Sequence, residues 1–254
     1  MNARVSSALS ILMLTLALSA CATVPGPPGS LTEAQDAAAV NAELGTTYLQ
    51  RGQLELARSK LEKALSQDRR NALANVGYGQ LLYRTGEVSK AEPFFERAVK
   101  YEPENADHRN AFGIYLCQVN KVSRAERQFK TAAENPYYQT PEFALDNAGL
   151  CWLEAGDLKK AESFFRDALR VDPRFPAALL HMAQLTFEQE RVTVSDAYLS
   201  VFREHSGETA ESLLLGSDIK RKQGDVAGAE SLAQRLLSSF PTSREAGEIL
   251  ARPL

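Results

Sequence analysis

The chain repeats a pattern of small and large apolar residues at a nearly constant interval. One series of small residues is Gly45, Gly79, Gly113, Gly149, Ala183 and Ser217, with spacings of 34, 34, 36, 34 and 34. A second series keeps these spacings twelve positions later: Ala57, Ala91, Ala125, Ala161, Ser195 and Ala229. Large apolar residues follow one helical turn after the second series, at Leu61, Phe95, Phe129, Phe165 and Leu199. Two series locked in phase predict a repeated unit of two helices and a turn.

The chain divides into six such units, and glycines mark the turn inside four of them. Between the two predicted helices, where a residue with positive φ commonly ends a helix, lie Gly52, Gly86, Gly156 and Gly224. The predicted units are 38–71, 72–105, 106–139, 142–175, 176–209 and 210–243, followed by a C-terminal tail, 244–254. The fifth and sixth units depart from the pattern and are assigned mainly from their phase.

This framework resembles the tetratricopeptide repeat. The resemblance implies an all-α solenoid of about twelve helices, wound into one right-handed superhelix with a concave groove along the first helices. The family's ligand-facing positions in repeats one and two include Ala42, Thr46, Leu49, Leu73, Val76, Gln80 and Tyr83. The same positions in repeats three and four are more polar. The alternative is that Leu49, Val76 and Tyr83 only pack neighbouring helices.

Residues 1–20 have the pattern of an export signal. Arg4 precedes a mostly apolar stretch, residues 5–18, that is too short to span a bilayer comfortably. The sequence Leu-Ser-Ala-Cys at residues 18–21 resembles the bacterial lipobox, which implies that Cys21 becomes the lipidated first residue of the mature protein. An ordinary cleaved signal that happens to end near a cysteine is the alternative.

The residues after Cys21 indicate where such an anchor places the protein. Residues 21–37 form a lead-in whose Pro and Gly residues predict an extended tether. In bacterial lipoproteins an Asp after the lipidated cysteine favours retention at the inner membrane, and this chain has Ala22 there. The resemblance therefore implies the periplasmic face of the outer membrane.

Charge and motif content exclude several classes of function. Lys and Arg number 29 against 32 Asp and Glu, and a formal net charge of −3 argues against a nucleic-acid surface. The sequence lacks the glycine-rich phosphate loop and the zinc-protease and serine-hydrolase motifs. His108, His181 and His205 do not combine into a dyad or a metal site. We therefore expect a non-enzyme with no metal, no small-molecule substrate and no cofactor beyond the lipid on Cys21.

Two cysteines remain once Cys21 is assigned to the anchor. Cys117 and Cys151 fall on the first helices of repeats three and four, which should lie side by side. Their positions within the repeat differ by two residues, a rotation of about 200° on a helix, so the two thiols can face each other. An oxidising compartment favours a disulfide, and two buried free thiols are the alternative.

The whole arrangement resembles the PilF and PilW family of type IV pilus biogenesis lipoproteins. The likeness rests on the lipobox and short tether, the six repeats, the cysteine pair, and the sequences at 110–117, 146–151, 213–216 and 239–241. It implies a pilotin that binds the outer-membrane secretin, promotes its localisation and multimerisation, and supports twitching motility. The alternatives are a lipoprotein of the β-barrel assembly machinery, a family with fewer repeats and without this cysteine pair, and an adaptor for peptidoglycan hydrolases.

Overall fold

The computed structural model describes residues 32–252, and all regular structure within that range is helical. Six helix pairs follow one another: α1 (Glu33–Gln50) with α2 (Leu54–Gln67), α3 (Ala72–Arg84) with α4 (Val88–Tyr101), α5 (Ala106–Gln118) with α6 (Val122–Ala133), α7 (Pro141–Glu154) with α8 (Leu158–Val171), α9 (Pro176–Glu188) with α10 (Val192–Ser206), and α11 (Ala210–Lys222) with α12 (Val226–Ser239). A short helix, α13 (Arg244–Leu250), follows the last pair. The prediction of an all-α repeat architecture is confirmed.

Both ends of the described solenoid extend beyond the predicted repeats. Helix α1 begins at Glu33, inside the predicted lead-in, because Thr32 and Gln35 form a capping box at its N-terminus. Helix α13 lies in the predicted tail, so the described residues hold thirteen helices rather than about twelve. Ala246 of α13 is fully buried and packs in one cluster with Leu213 of α11. The short helix therefore covers the apolar end of the last repeat.

The two helices of a repeat cross at the small residues of the sequence pattern. A methyl group added at Gly79 would lie 2.8 Å from Phe95 Cε2, and one at Gly113 would lie 2.6 Å from Phe129 Cε1. Both distances are far inside van der Waals contact. Glycine therefore lets the phenylalanine ring of the second helix lie directly against the backbone of the first.

Repeats five and six build the same crossing with serine hydroxyls. Ser195 Oγ of α10 donates to the Ala183 carbonyl of α9 at 2.6 Å. In repeat six the direction is reversed, because Ser217 Oγ of α11 donates to the Ala229 carbonyl of α12 at 2.9 Å. Both serines are fully buried. Each hydroxyl thus satisfies its hydrogen-bonding need inside the helix crossing, where an unpaired hydroxyl would be costly.

A residue with positive φ ends the first helix in each of the six repeats. The four glycines expected there, Gly52, Gly86, Gly156 and Gly224, have φ between 73° and 82°. In repeats three and five the position is taken by Asn120, with φ of 58°, and by Glu190, with φ of 60°. Asparagine tolerates this region, whereas glutamate meets the full steric cost of its Cβ.

Ion pairs join successive repeats at one recurrent position of the second helix. That position holds Arg58, Glu92, Glu126, Glu162 and Asp196. Glu162 Oε1 lies 2.8 Å from Arg191 Nη1 of the next repeat, and Asp196 Oδ2 lies 3.1 Å from Lys220 Nζ. The first junction reverses the signs, with Arg58 Nη2 2.9 Å from Glu87 Oε1. The pairs form a ladder that links each repeat to its successor.

Candidate partner-binding groove

Two adjoining cavities lie along the first helices of repeats one to three. The apolar cavity, of about 260 Å³, is lined by Leu49, Gln50, Gln80, Tyr83, Arg84, Phe95, Ala111, Ile114, Tyr115 and Gln118. The acidic cavity, of about 530 Å³, has among its lining residues Glu43, Thr46, Leu73, Val76, Glu102, Asp107 and His108. The two cavities share Gln50, Gln80 and Ala111 and so form one groove across α1, α3 and α5.

Most of the predicted groove residues line these cavities. The apolar cavity takes Leu49 and Tyr83, the acidic cavity takes Thr46, Leu73 and Val76, and Gln80 lines both. Leu49 and Val76 are only 3% and 6% exposed. They therefore form the floor of the groove and pack the helices at the same time, so the two interpretations of these side chains do not compete.

The assignment of Ala42 to the groove is wrong. Ala42 is fully buried and packs against Ala64 and Ala74, between α1, α2 and α3. The next residue, Glu43, lines the acidic cavity instead. One residue corresponds to about 100° of rotation around a helix, which is enough to exchange the buried face for the open one.

Aromatic rings form the wall of the apolar cavity. The Tyr83 and Tyr115 rings meet edge to face with centroids 6.1 Å apart, and Tyr115 stacks on Phe95 at 4.8 Å. Tyr115 Oη donates to the Val88 carbonyl at 3.1 Å, which fixes the ring, and burial raises the pKa of its phenol. Ile114 is 37% exposed at the rim. A rigid, aromatic-walled cavity suits an apolar side chain of a partner.

Uncompensated carboxylates give the acidic cavity its charge. Glu43, Glu102 and Asp107 line it, and no Lys or Arg does. The buried ring of His108 places Nδ1 3.3 Å from Glu102 Oε2 without the geometry of a hydrogen bond, and that nitrogen has no other partner in residues 32–252. Burial lowers the pKa of His108, so its ring is neutral near pH 7. The cavity therefore suits a cationic side chain.

The sequence did not predict the lining residues that come from outside the first helices. Phe95 belongs to a second helix and reaches the apolar cavity with its ring, although its repeat position indicates pure core. Glu102 follows the end of α4, where no helical periodicity applies. The ligand-facing positions of repeat three do contain Ile114, which extends the apolar cavity onto α5.

Beyond the groove, the concave face is cross-linked. Cys117 and Cys151 form a disulfide between α5 and α7 with their Cα atoms 5.6 Å apart, the pairing expected from the sequence. Asn147 Nδ2 donates to Asn110 Oδ1 at 3.1 Å between the same two helices. Two ligand-facing positions of repeat three, Asn110 and Cys117, are thus occupied by contacts within the chain.

A buried carboxylate continues this bracing into repeat five. Asp146 Oδ1 of α7 lies 2.9 Å from His181 Nδ1 of α9, and the Asp146 side chain is 7% exposed. The His181 ring also lies against Phe165, with centroids 5.2 Å apart. Repeats three to five are therefore held together where repeats one to three leave a groove.

The predicted lipid anchor, Cys21, lies outside the described residues. Across residues 32–252, no helix combines the length and the apolar character needed to cross a bilayer. The same part of the chain contains no cluster of His, Cys, Asp and Glu that could hold a metal ion.

Comparison with known proteins places the chain among proteins of pilus assembly. Two models described as tetratricopeptide repeat match residues 48–111 and 110–178. The type IV pilus assembly protein PilF of Pseudomonas aeruginosa is 28% identical over 209 residues, which are 82% of this chain and 83% of PilF.

Solved structures agree with the sequence comparison. The crystal structure of PilW, a widely conserved type IV pilus biogenesis factor, matches with a TM-score of 0.73 at 26% identity, over 84% of this chain and 98% of PilW. The structure of Pseudomonas aeruginosa PilF matches with a TM-score of 0.72 at 27% identity, over 87% and 99% of the two chains. Such repeat proteins are interaction scaffolds rather than enzymes. The chain therefore belongs to the tetratricopeptide repeat family, as a relative of the type IV pilus biogenesis proteins PilF and PilW.

Proposed function

We propose that this protein is an outer-membrane lipoprotein that binds the secretin of the type IV pilus system and promotes its localisation and multimerisation. The observation that carries the proposal is the groove over repeats one to three, in a chain related to PilF and PilW along most of its length. A lipid on Cys21 and the tether after it would hold the repeats at the periplasmic face of the membrane.

The two cavities specify what the groove holds. An apolar side chain of the secretin segment enters between Tyr83 and Ile114, and a Lys or Arg beside it enters among the three carboxylates of the acidic cavity. Gln50 and Gln80 lie where the cavities meet and supply amide donors and acceptors for the backbone of the segment. The groove thus selects a basic residue next to an apolar one.

Groove variants test the binding site. Ile114→Glu places a charge at the rim of the apolar cavity, and Glu102→Lys reverses one of the three carboxylates; each should weaken co-purification of the secretin by about tenfold or more. Val226→Glu is the matched control, because Val226 is 62% exposed on α12, away from the groove. Unchanged binding in both groove variants contradicts the proposal.

A deletion strain tests the role in secretin assembly. Without the protein, the secretin should remain monomeric or mislocalised, with loss of twitching motility. Normal heat-resistant secretin multimers in that strain would exclude a pilotin function.

The anchor is tested separately by Cys21→Ala. This variant should leave the membrane fraction and be recovered as soluble periplasmic protein, because a multiply acylated cysteine is a far stronger anchor than a surface of net negative charge. Continued fractionation with the outer membrane would mean that something other than lipid holds the protein there.

A further inference from the structure

A third cavity, of about 520 Å³, lies between the second helices of repeats one and two, α2 and α4, with α3 also contributing to its wall. We call it the arginine cavity; it is lined by Glu62, Leu65, Ser66, Arg69, Asn75, Tyr78, Phe94, Arg97 and Tyr101. It shares no lining residue with the groove, which runs along the first helices. A ligand in the arginine cavity would therefore leave the groove free.

The guanidinium of Arg97 is fixed in this cavity without a carboxylate partner. Its Nε donates to Asn75 Oδ1 at 2.9 Å, and its Cζ lies 4.1 Å from the centre of the Phe94 ring. Asn75 is itself fully buried, and its amide donates to the backbone carbonyls of Arg69 and Asn71. In residues 32–252 no Asp or Glu pairs with Arg97 or Arg69, so the terminal nitrogens of a preoriented guanidinium remain available to an anion.

The remaining walls are aromatic, and their one carboxylate is already engaged. The Tyr78 and Phe94 rings pack with centroids 4.8 Å apart, and Tyr101 extends the apolar wall. Glu62 accepts a hydrogen bond from Tyr78 Oη at 3.0 Å and lies 3.9 Å from Arg58. The cavity thus offers uncompensated positive charge beside aromatic surface.

We propose that the arginine cavity binds an acidic segment of a second protein partner. The carboxylate of that segment pairs with Arg97 and Arg69, and a neighbouring apolar side chain lies against Phe94 and Tyr101. Charge complementarity identifies the occupant: the groove's acidic cavity attracts cationic residues, and the arginine cavity attracts anionic ones. The protein can then hold two partners at once, one on each row of helices.

A membrane surface fits this cavity less well than a peptide. The aromatic rings line a cavity rather than a flat exposed face, so acyl chains or head groups in a plane would not reach them.

Nuclear magnetic resonance of the labelled mature protein tests the proposal with a capped peptide, Ser-Asp-Phe-Asp-Ser, and its counterpart with Asn in place of both Asp residues. The acidic peptide should shift the resonances of Tyr78, Phe94 and Arg97. The Asn peptide should bind about tenfold more weakly, the ratio expected for loss of a charge-assisted hydrogen bond.

Variants separate binding from folding. Arg97→Gln should weaken binding of the acidic peptide about tenfold. Arg69 is exposed, and its side chain makes no hydrogen bond or ion pair within residues 32–252, so Arg69→Gln should weaken peptide binding without unfolding the protein. Arg127→Gln, exposed on α6, is the control and should bind normally.

Four results overturn the proposal: no binding, equal binding of the two peptides, normal binding to both cavity variants, or shifts confined to the groove around Ile114. A fifth is a stronger shift of the same resonances by phosphatidylglycerol vesicles than by the peptide, which would assign the cavity to lipid. The groove variants Ile114→Glu and Glu102→Lys should bind the peptide normally, so failure here is distinguishable from failure of secretin binding.

Discussion

Repeats one to four and repeats five and six reach the same helix crossing through different chemistry. In the first four, the position on the first helix is glycine, and the absence of a side chain lets a leucine or phenylalanine of the second helix lie against the backbone. In the last two, alanine or serine occupies that position, and a buried hydroxyl donates to the opposite backbone. The crossing therefore needs close packing with no unpaired polar group. A large apolar side chain against glycine provides this in the first four repeats, and a buried hydrogen bond contributes to it in the last two.

The largest expected contrast is between two core truncations. Phe165→Ala should cost about 3–5 kcal/mol, and Leu199→Ala less, within the range of about 2–5 kcal/mol. The physical reason is that Gly149 has no side chain to fill the space left by Phe165, whereas Ala183 retains a methyl group in the same buried cluster as Leu199. Amide hydrogen exchange measures the local stability of each repeat separately, with α7 and α8 reporting on Phe165→Ala and α9 and α10 reporting on Leu199→Ala.

Val171→Ala, at a residue 49% exposed on α8, is the control for that pair and should change exchange little. A larger effect from Leu199→Ala than from Phe165→Ala would mean that the two crossings do not differ as described.

The disulfide gives the second largest effect, confined to repeats three and four. Replacing both Cys117 and Cys151 by Ala should destabilise that segment by about 3–4 kcal/mol, since the bridge closes a loop with a sequence separation of 34 residues. Amide exchange should accelerate in α5 to α7 and stay unchanged in α11 and α12. Reductant should reproduce the effect in the unaltered protein and do nothing further to the variant; faster exchange along the whole chain would show that the repeats unfold as one unit.

Exchanging the serine between the two regions sharpens the comparison. Ser195→Ala should cost about 0.5–1.5 kcal/mol, because one buried hydrogen bond is lost while the Ala183 carbonyl keeps its helical partner. The reverse change, Ala161→Ser in repeat four, should cost less than about 1 kcal/mol if the new hydroxyl reaches the equivalent carbonyl of Gly149. Urea titration of both variants measures the change in the free energy of unfolding. A large loss of stability for Ala161→Ser would show that the crossings of the first four repeats do not accommodate a buried hydroxyl.

The smallest predicted effect is a gain in stability. Glu190→Gly should stabilise repeat five by about 1 kcal/mol, because glycine adopts the positive φ of 60° without strain. The exposed pair that Glu190 makes with Lys222 contributes little. Asn120→Gly should gain less, since asparagine tolerates this region.

Glu188→Gly, two residues earlier at the last residue of α9, is the opposite control and should destabilise, by less than the roughly 1 kcal/mol that glycine costs in a helix interior. Thermal unfolding distinguishes the three variants. A loss of stability on Glu190→Gly would mean that the turn is not strained.

The repeat framework could be predicted from the sequence because its signals are local and periodic. The small residues at the crossings mark each helix pair directly, and glycines mark the turn in four of the six pairs. Helix α13 could not be predicted, because the C-terminal tail is too short to show a helical pattern of apolar residues. The positive φ at Glu190 could not be predicted either, because glutamate rarely adopts that conformation.

The sites were harder to predict than the fold, because they depend on rotation about a helix axis and on residues from several repeats. Ala42 and Glu43 are adjacent in the sequence, yet one is core and the other lines the groove. The arginine cavity brings together Glu62, Asn75 and Arg97, which lie on three different helices. No spacing rule connects them.

The disulfide between α5 and α7 also determines how the solenoid responds to force. When a solenoid is pulled by its two ends, a stack of repeats in contact only with their neighbours extends by peeling from those ends. The loop between Cys117 and Cys151 cannot lengthen, so about 12 nm of chain stays out of the extension, from 34 residues at roughly 3.5 Å each. The bridge therefore acts as a mechanical stop near the middle of the chain, anchored on α5, the same helix that carries Ile114 at the groove's rim.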